Sequence, residues 1–492
     1  MNQKELEKYL MDAANILRGM IDAADFKQYI FPLLFFKRIS DVWDEEYKEA
    51  LKESGGDLDY AMFRENHRFQ IPIGCHWEDV RKVTVDVGQA LHLALRGLEN
   101  ANFDLLHDIF GDAQWTNKRR MSDEKMLDLI EHFSKLSLSI ANVPHDLMGE
   151  GYEYLIKKFA DDSGHTAAEF YTNRTVVKLM TLITDPQPKE SVYDPTYGSG
   201  GILLNSVLYL KEQGKEYRNV KLYGQELNLI TSAIARINMF MHNVDEFLIV
   251  QGDTLDSPQI LEDDELKKFD VIMANPPYSV KRWNQTKFSN DPFGRNIYGT
   301  PPQGCADYAF QQHIIKSLKP ESGRCVVLYP HGVLFRDAES EMRKKMIDED
   351  AVDAVIGLGK NLFYNSNMES CLLVCRKKKP KDRKGKIIFI DAKDEIRLER
   401  SDAYLEEKHI QKISNAYRNF EDIEDFAKVV NKDEVVSENG SNLSISLYVK
   451  TSLDYDKQNT IQSLIQEIKD AQNNLNVSIE DMLNRIQALG IS

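Results

Sequence analysis

The chain has 492 residues, room for about three domains at ~150 residues each, and its 62 Lys+Arg against 78 Asp+Glu leave a formal charge of −16. Hydrophobic residues make up 42% of it, which supplies packed cores and excludes bulk disorder. The acidity excludes a surface that coats nucleic acid throughout, so any such role is local or shared with a partner.

The first residues lack the basic-then-apolar order of a signal peptide, and the apolar stretch over 30–36 is too short for a bilayer. Five cysteines (75, 305, 325, 371, 375) form no CxxC pair and no disulfide-like spacing. The expectation is a protein of the reducing cytoplasm with no membrane contact. No G-x-x-x-x-G-K-[ST] occurs, so no phosphate loop is there to drive a motor.

Residues 1–148 read as a helical domain: segments 5–20, 26–50, 83–98 and 125–136 carry apolar residues at three-to-four spacing. The stretch 18–22 and Pro32 read as turns or kinks. From 149 to 395 the texture changes. Short apolar runs at 192–193, 222–223, 247–250, 270–274, 325–329, 352–357, 371–374 and 387–390 are mostly separated by helix-period segments at 202–212, 230–241, 307–318 and 339–348. Such alternation predicts an α/β fold with a doubly wound sheet and ligands at the carboxyl ends of its strands. No helix separates 371–374 from 387–390, which predicts an antiparallel hairpin. Residues 396–450 are acidic and mixed. Beyond Thr460, Ile461, Leu464, Ile468, Ala471, Leu475, Ile479, Met482, Ile486 and Leu489 make one apolar stripe. This C-terminal helix buries its stripe either on its own domain or on another chain.

Three strand ends carry a candidate pocket. Val192-Tyr-Asp-Pro-Thr-Tyr-Gly-Ser-Gly-Gly201 is a strand running into a glycine-rich turn that opens a helix. Glycines allow close backbone approach, and the helix start offers free N–H groups. The spacing is too tight for G-x-G-x-x-G. Glu226 ends the next strand, where a carboxylate suits the two hydroxyls of a ribose. Asp253 ends the third, able to accept from an adenine amino group. Alone, each is an ordinary turn or a surface carboxylate; together they describe a site for an adenosine-like ligand that need not carry phosphates.

The segment Asp270-Val-Ile-Met-Ala-Asn-Pro-Pro-Tyr278 carries the chemistry. A chance Asn-Pro-Pro-Tyr in a chain this long is on the order of one in a thousand. Two prolines make the turn rigid, so the Asn275 side-chain oxygen and the Pro276 carbonyl converge as two acceptors, with the Tyr278 ring beside them. An exocyclic amine needs such a site: its lone pair is delocalised into the ring until two acceptors draw on its N–H bonds. A flat side chain stacks on a base flipped out of the duplex, and the contribution is positioning and electrostatics.

With these motifs the chain resembles an amino-methyltransferase that uses S-adenosyl-L-methionine, and more closely the modification subunit of type I restriction–modification systems, which methylate adenine at N6 in DNA. The resemblance extends over nearly the whole chain. Leu17-Arg-Gly-Met-Ile-Asp22 and Tyr29-Ile-Phe-Pro-Leu-Leu-Phe-Phe-Lys-Arg38 are similar to that family's helical N-terminal domain. Asp146-Leu-Met-Gly-Glu-Gly-Tyr-Glu-Tyr154, Glu169-Phe-Tyr-Thr-Asn-Arg174, Cys305-Ala-Asp-Tyr-Ala-Phe310 and Asn442-Leu-Ser-Ile-Ser-Leu-Tyr-Val449 are similar to its catalytic region. Asn173 stands where the family has proline, and Ser446-Leu447 where it has Pro-Arg.

The resemblance implies a Rossmann-like methyltransferase domain over 149–455, a docking segment over 456–492, and S-adenosyl-L-methionine held by Phe170, Tyr171, Thr172, Asp194, Gly198, Ser199, Gly200, Gly201, Glu226, Asp253 and Asn275. It makes Asn275, Pro276 and Tyr278 catalytic, with no metal, and puts Asp307 and Tyr308 near the same pocket. The implied partners are double-stranded DNA, a separate specificity subunit that reads the sequence, a second modification subunit and a restriction (motor–nuclease) subunit, in a bacterial or archaeal cytoplasm.

Residues 279–304, with Lys281, Arg282, Lys287 and Arg295, are either a plain surface loop or a mobile lid over the flipped base. The basic run 376–386 is either a phosphate-contacting patch or a solvated hairpin tip. Two alternatives stand beside the DNA enzyme: methylation of a protein glutamine, whose amide poses the same chemical problem, and a non-catalytic assembly subunit that keeps the cofactor pocket.

Overall fold

The computed structural model describes residues 1–450 except 19–20, 23–24, 163–170, 363–367 and 400–401, together with residues 465, 466, 468, 469, 472 and 475. Phe170 and most of the segment 456–492 therefore lie outside the described residues.

Helix α1 (Gln3–Leu17) begins with a capping box: the Asn2 side chain accepts from the Glu5 N–H while the Glu5 carboxylate accepts from the Asn2 N–H. Leu6, Leu10, Ala13, Ala14 and Leu17 are its buried stripe. Pro32, expected as a break, lies inside α2 (Lys27–Glu53). Every residue from 29 to 40 of that helix is buried, and this packing outweighs the ~3 kcal/mol that an interior proline costs. Helices α3 (Val87–Ala101), α4 (Asp123–Ser134) and α5 (His145–Asp162) complete the helical layer, and no strand precedes Ser191 among the described residues.

From there the chain alternates: α6 (Arg174–Thr184), β1 (Ser191–Asp194), α7 (Gly201–Glu212), β2 (Lys221–Glu226), α8 (Leu229–Met241), β3 (Phe247–Gln251), β4 (Val271–Ala274), α9 (Asp307–Lys316), β5 (Arg324–Pro330), α10 (Ser340–Asp348), β6 (Val352–Leu358), β7 (Ser370–Arg376), β8 (Lys386–Ala392), α11 (Glu407–Asn419) and β9 (Ala427–Asn431). These nine strands form one mixed sheet in the order β9-β8-β6-β7-β5-β4-β1-β2-β3. Strands β5, β4, β1, β2 and β3 run parallel. The sheet is doubly wound, as expected. In β4, Val271 and Met273 join the core on one face with Val176, Leu203 and Met180, while Ile272 and Ala274 join the other with Tyr308 and Ile314. Burial on both faces is why these strands read as continuous apolar runs.

The expected hairpin does not form. β7 inserts antiparallel between β5 and β6, and β8 pairs on the far side of β6, parallel to it. The basic run 376–386 therefore crosses the end of β6, and the aspartates at that end hold it. Lys379 Nζ lies 2.8 Å from Asp350 Oδ1, Arg376 Nε 3.0 Å and Arg383 Nη1 3.2 Å from Asp353 Oδ2. Three of the run's eight cations are thus internal wiring, and the run is neither hairpin tip nor continuous phosphate patch; Lys377, Lys381 and Lys384 stay exposed. Strand β9, antiparallel to β8, was not anticipated in the acidic stretch 396–450.

The helical layer and the sheet share α8. Its Ile234, Ile237, Phe240 and Met241 belong to the N-terminal core, whereas Ala235 and Met239 belong to a sheet core. The five cysteines are free thiols, four of them buried. No helix among the described residues is long and apolar enough to cross a membrane. Ile468 and Leu475 are helical and 61% and 60% exposed, so these two members of the terminal stripe are not buried on the chain's own domain.

Candidate active site

β1 and β4 are neighbours, with Val192 opposite Val271 and Tyr193 opposite Ile272. The chain leaves β1 toward α7 and β2, and leaves β4 toward β5 on the other side, so a switch point opens between them. The glycine-rich turn and the Asn-Pro-Pro-Tyr turn stand at this crevice side by side.

In the first turn Gly198 (φ 54°) and Gly200 (φ 88°) occupy the left-handed region, which glycine alone enters freely. Gly200 caps α7. At Gly201 a Cβ would stand 1.7 Å from Arg174 Nη1; its absence admits the guanidinium. Arg174 then donates to Glu153 Oε2 (2.5 Å), Ser199 Oγ (3.2 Å) and the Thr172 carbonyl (3.2 Å), while Asn238 Nδ2 donates to Glu153 Oε1 and the Ser199 carbonyl. Burial pushes the Glu153 carboxyl up, but the Arg174 charge outweighs it and holds it below its usual value. Neither Glu153 nor Asn238 was singled out from the sequence; only the packing reveals them.

The three strand-end carboxylates differ. Asp194 is fully buried, its Oδ1 accepting from the Thr196 N–H at 2.9 Å and its Oδ2 without a partner. Burial, reinforced by the Glu226 charge and only partly offset by Thr196, pushes its carboxyl up to about 7. Glu226 accepts from the Gly198 N–H through Oε2 and from the Asn228 N–H through Oε1, both at 2.9 Å, and so ties β2 to the glycine turn. Asp253 is half-buried, and its Oδ1 accepts from the Leu255 and Asp256 N–H groups of the turn that follows it.

Beyond β4, Asn275 Nδ2 donates to Thr172 Oγ1 at 3.1 Å. That bond fixes the amide and leaves Asn275 Oδ1 buried with no partner. Pro276 is buried and Tyr278 half-buried. Tyr171 lies buried beneath Arg174, with Cζ 4.5 Å from the ring centroid. Asn173, in the family's proline position, caps α6 by accepting from the Thr175 N–H at 3.1 Å and donates to the Ala403 carbonyl at 2.7 Å. The other departure, Ser446-Leu447, is exposed.

The segment 279–304 is fastened at several points to the body of the domain. Arg295 is 1% exposed and binds Asp291 Oδ1 (2.6 Å) and the Thr254 and Leu255 carbonyls (2.7 Å each). Lys287 pairs with Asp256 at 3.1 Å, and Phe288 packs with Leu255, Ala306, Ala309 and Phe310. Lys281 and Arg282 remain exposed and form no ion pair among the described residues. Asp307 accepts from the Ser279 N–H just beyond Tyr278 at 3.1 Å, whereas the Tyr308 hydroxyl donates to the Val333 carbonyl, away from the turn. Phe335, 49% exposed, lies beyond the carboxyl end of β5, the strand beside β4.

Comparison with known proteins agrees with this geometry. Residues 143–457 match the N-6 DNA Methylase family, and residues 6–133 match the HsdM N-terminal domain. The type I restriction enzyme MjaVII methylase subunit of Methanocaldococcus jannaschii is 30% identical over 90% of this chain and 77% of its own length. The MpnII methylase subunit of Mycoplasma pneumoniae is 28% identical over 98% and 96%. The crystal structure of a type I restriction–modification system methyltransferase subunit from Streptococcus thermophilus superposes with a TM-score of 0.79 at 30% identity, covering 92% of this chain and all of that one. The chain therefore belongs to the N-6 DNA methylase family and, within it, to the adenine-specific modification subunits of type I restriction–modification systems.

Proposed function

We propose that the chain transfers a methyl group from S-adenosyl-L-methionine to N6 of an adenine flipped out of duplex DNA. The crevice suits this cofactor by its chemistry. The glycine turn brings bare backbone N–H groups to the start of α7, and Asp194 Oδ2 is a buried acceptor lacking a partner. Tyr171, Asp194, Gly198, Ser199, Gly200, Gly201, Glu226 and Asp253 would hold the cofactor. When bound, it supplies an electrophilic methyl group on a sulfonium.

The observation that carries the reading is Asn275 Oδ1, buried, unpartnered and fixed in direction by Thr172. It and the Pro276 carbonyl accept the two N–H bonds of the target amine. That draws the lone pair out of the ring and holds the nitrogen in line for attack. A buried acceptor such as Asn275 Oδ1 is costly to leave unmet, and the amine supplies the missing donor. Tyr278 stacks on the extruded base.

The family membership supports a division of labour in which residues 1–148 form a helical domain, 149–455 the methyltransferase domain and 456–492 the segment that docks on a specificity subunit. A second modification subunit and a motor–nuclease subunit complete the assembly, in the cytoplasm of a bacterium or archaeon. The test is Asn275→Ala in the complex with its specificity subunit. Methyl transfer to duplex DNA should fall at least a hundredfold, with the Kd for S-adenosyl-L-methionine within a few-fold of wild type. Undiminished transfer would refute the assignment, and label appearing in protein glutamine would move the substrate.

A further inference from the structure

Asp307 is the hub of a buried cluster next to the catalytic turn. Its Oδ1 accepts from the N–H of Ser279, a residue held at φ +55°. Its Oδ2 accepts from the Arg336 guanidinium and from Cys305 Sγ (3.0 Å), and its backbone carbonyl from the Tyr329 hydroxyl at 3.1 Å. Arg336 also donates to Glu339 Oε2 at 2.8 Å. The Asp307 and Glu339 side chains are 1% and 0% exposed. Cys305, Asp307 and Glu339 offer ligand atoms within 4.8 Å of one another, the spacing of a metal site. The guanidinium already lies between the two carboxylates and answers their charge, so the cluster is an ion-pair brace.

The brace has a direction. One end grips the residue after Tyr278; the other is Arg336, the residue after the exposed Phe335. Arg336 is held in turn by the 331–339 segment that leaves β5, where its own carbonyl accepts from Arg343 at 2.8 Å. A left-handed serine costs energy and persists only where its surroundings fix it. The Asp307 carboxylate supplies that fixation, and its charge-assisted bond to Arg336 keeps it from swinging away.

We infer that Arg336, acting through Asp307, is a positioning residue for methyl transfer: it sets the attitude of the Asn275–Tyr278 turn through the Ser279 N–H that Asp307 holds. The inference rests on the catalytic reading of Asn275 given above. It requires that loss of the brace slow chemistry while leaving cofactor affinity intact, because no member of the brace bonds to the glycine turn.

The experiment uses the complex with its specificity subunit and duplex DNA carrying the target site. Arg336→Gln should slow single-turnover methylation at least tenfold, with the Kd for S-adenosyl-L-methionine within twofold of wild type. Arg336→Lys, which keeps a cation within reach of Asp307, should recover most of that loss. Asp307→Asn keeps the acceptor for Ser279 but drops the charge, and serves if Arg336→Gln does not fold; it too should lose at least fivefold in rate. With 2-aminopurine at the target position, the fluorescence rise on binding should be smaller in Arg336→Gln than in wild type. Rates within twofold of wild type in both Arg336→Gln and Asp307→Asn would overturn the inference, and so would parallel losses of rate and cofactor affinity that Arg336→Lys does not repair. Asn275→Ala in the same assay separates the two claims: if it stays active the catalytic reading fails, and if it alone is dead only the brace fails.

Discussion

At the scale of single residues the crevice holds several buried oxygens without partners, and two of them, Asp194 Oδ2 and Asn275 Oδ1, stand at the ends of β1 and β4. Both residues were legible as strand-end polar groups beside turns of restricted backbone. Their isolation was not, because it depends on which neighbours the fold brings or withholds. Thr172 illustrates the limit: it stood in the sequence as a cofactor contact, and only the structure shows that its hydroxyl also orients the Asn275 amide. Asp194 gives a pH-dependent prediction. Its folded carboxyl titrates near 7 against about 4 in an unfolded chain, so between those values the folded state binds the extra proton. Stability therefore falls as pH rises through that window. Asp194→Asn should raise the Tm of the cofactor-free protein by about 3–5 °C at pH 8 and leave it unchanged at pH 4. An equal shift at both pH values would contradict this origin.

Elements, more than residues, decided what the sequence could and could not reveal. Eight strands were visible as apolar runs, most clearly in the middle of the sheet, where β4, β5 and β6 are buried along their whole length. Their neighbours were not: two apolar runs, 371–374 and 387–390, with no helix between them read as a hairpin, and only the acceptance of β7 between β5 and β6 shows otherwise. Likewise α2 continues through Pro32 because burial on all sides is a tertiary fact. The support of the glycine turn is also tertiary, since α5 and α6 meet there through Glu153 and Arg174. Glu153→Gln would leave the half-buried Arg174 guanidinium without its counter-charge. Losing a charge-assisted hydrogen bond of this kind costs about 1.5–3 kcal/mol. The variant should melt lower and also bind S-adenosyl-L-methionine at least tenfold more weakly by calorimetry, since Arg174 bonds directly to Ser199. Wild-type affinity in that variant would show that the pair serves stability alone.

For the whole molecule, the net charge of −16 gains meaning from where the cations go. Arg174, Arg295, Arg376, Lys379 and Arg383 are all engaged with carboxylates of the same chain. Lys281, Arg282, Lys377, Lys381 and Lys384 stay exposed and outside any ion pair among the described residues, against an overall excess of acidic groups. The isolated subunit should bind duplex DNA no more tightly than a Kd of about 10⁻⁶ M at physiological salt, and binding should tighten by orders of magnitude when the specificity subunit is added. Nanomolar binding by the chain alone in a titration would contradict this distribution.

Because α8 lends one face to the N-terminal core and another to the sheet, the two regions cannot melt separately. Calorimetry on the chain should give a single endotherm, and amides of α1 and α2 should exchange with the same global protection as those of β1 and β4; two resolved transitions would contradict it. The sharing also acts as a mechanical linkage. α8 starts three residues after Glu226 and donates Asn238 to the glycine turn. A push on the helical layer by whatever the protein assembles with is thus delivered, through one rigid rod, to the floor of the catalytic crevice.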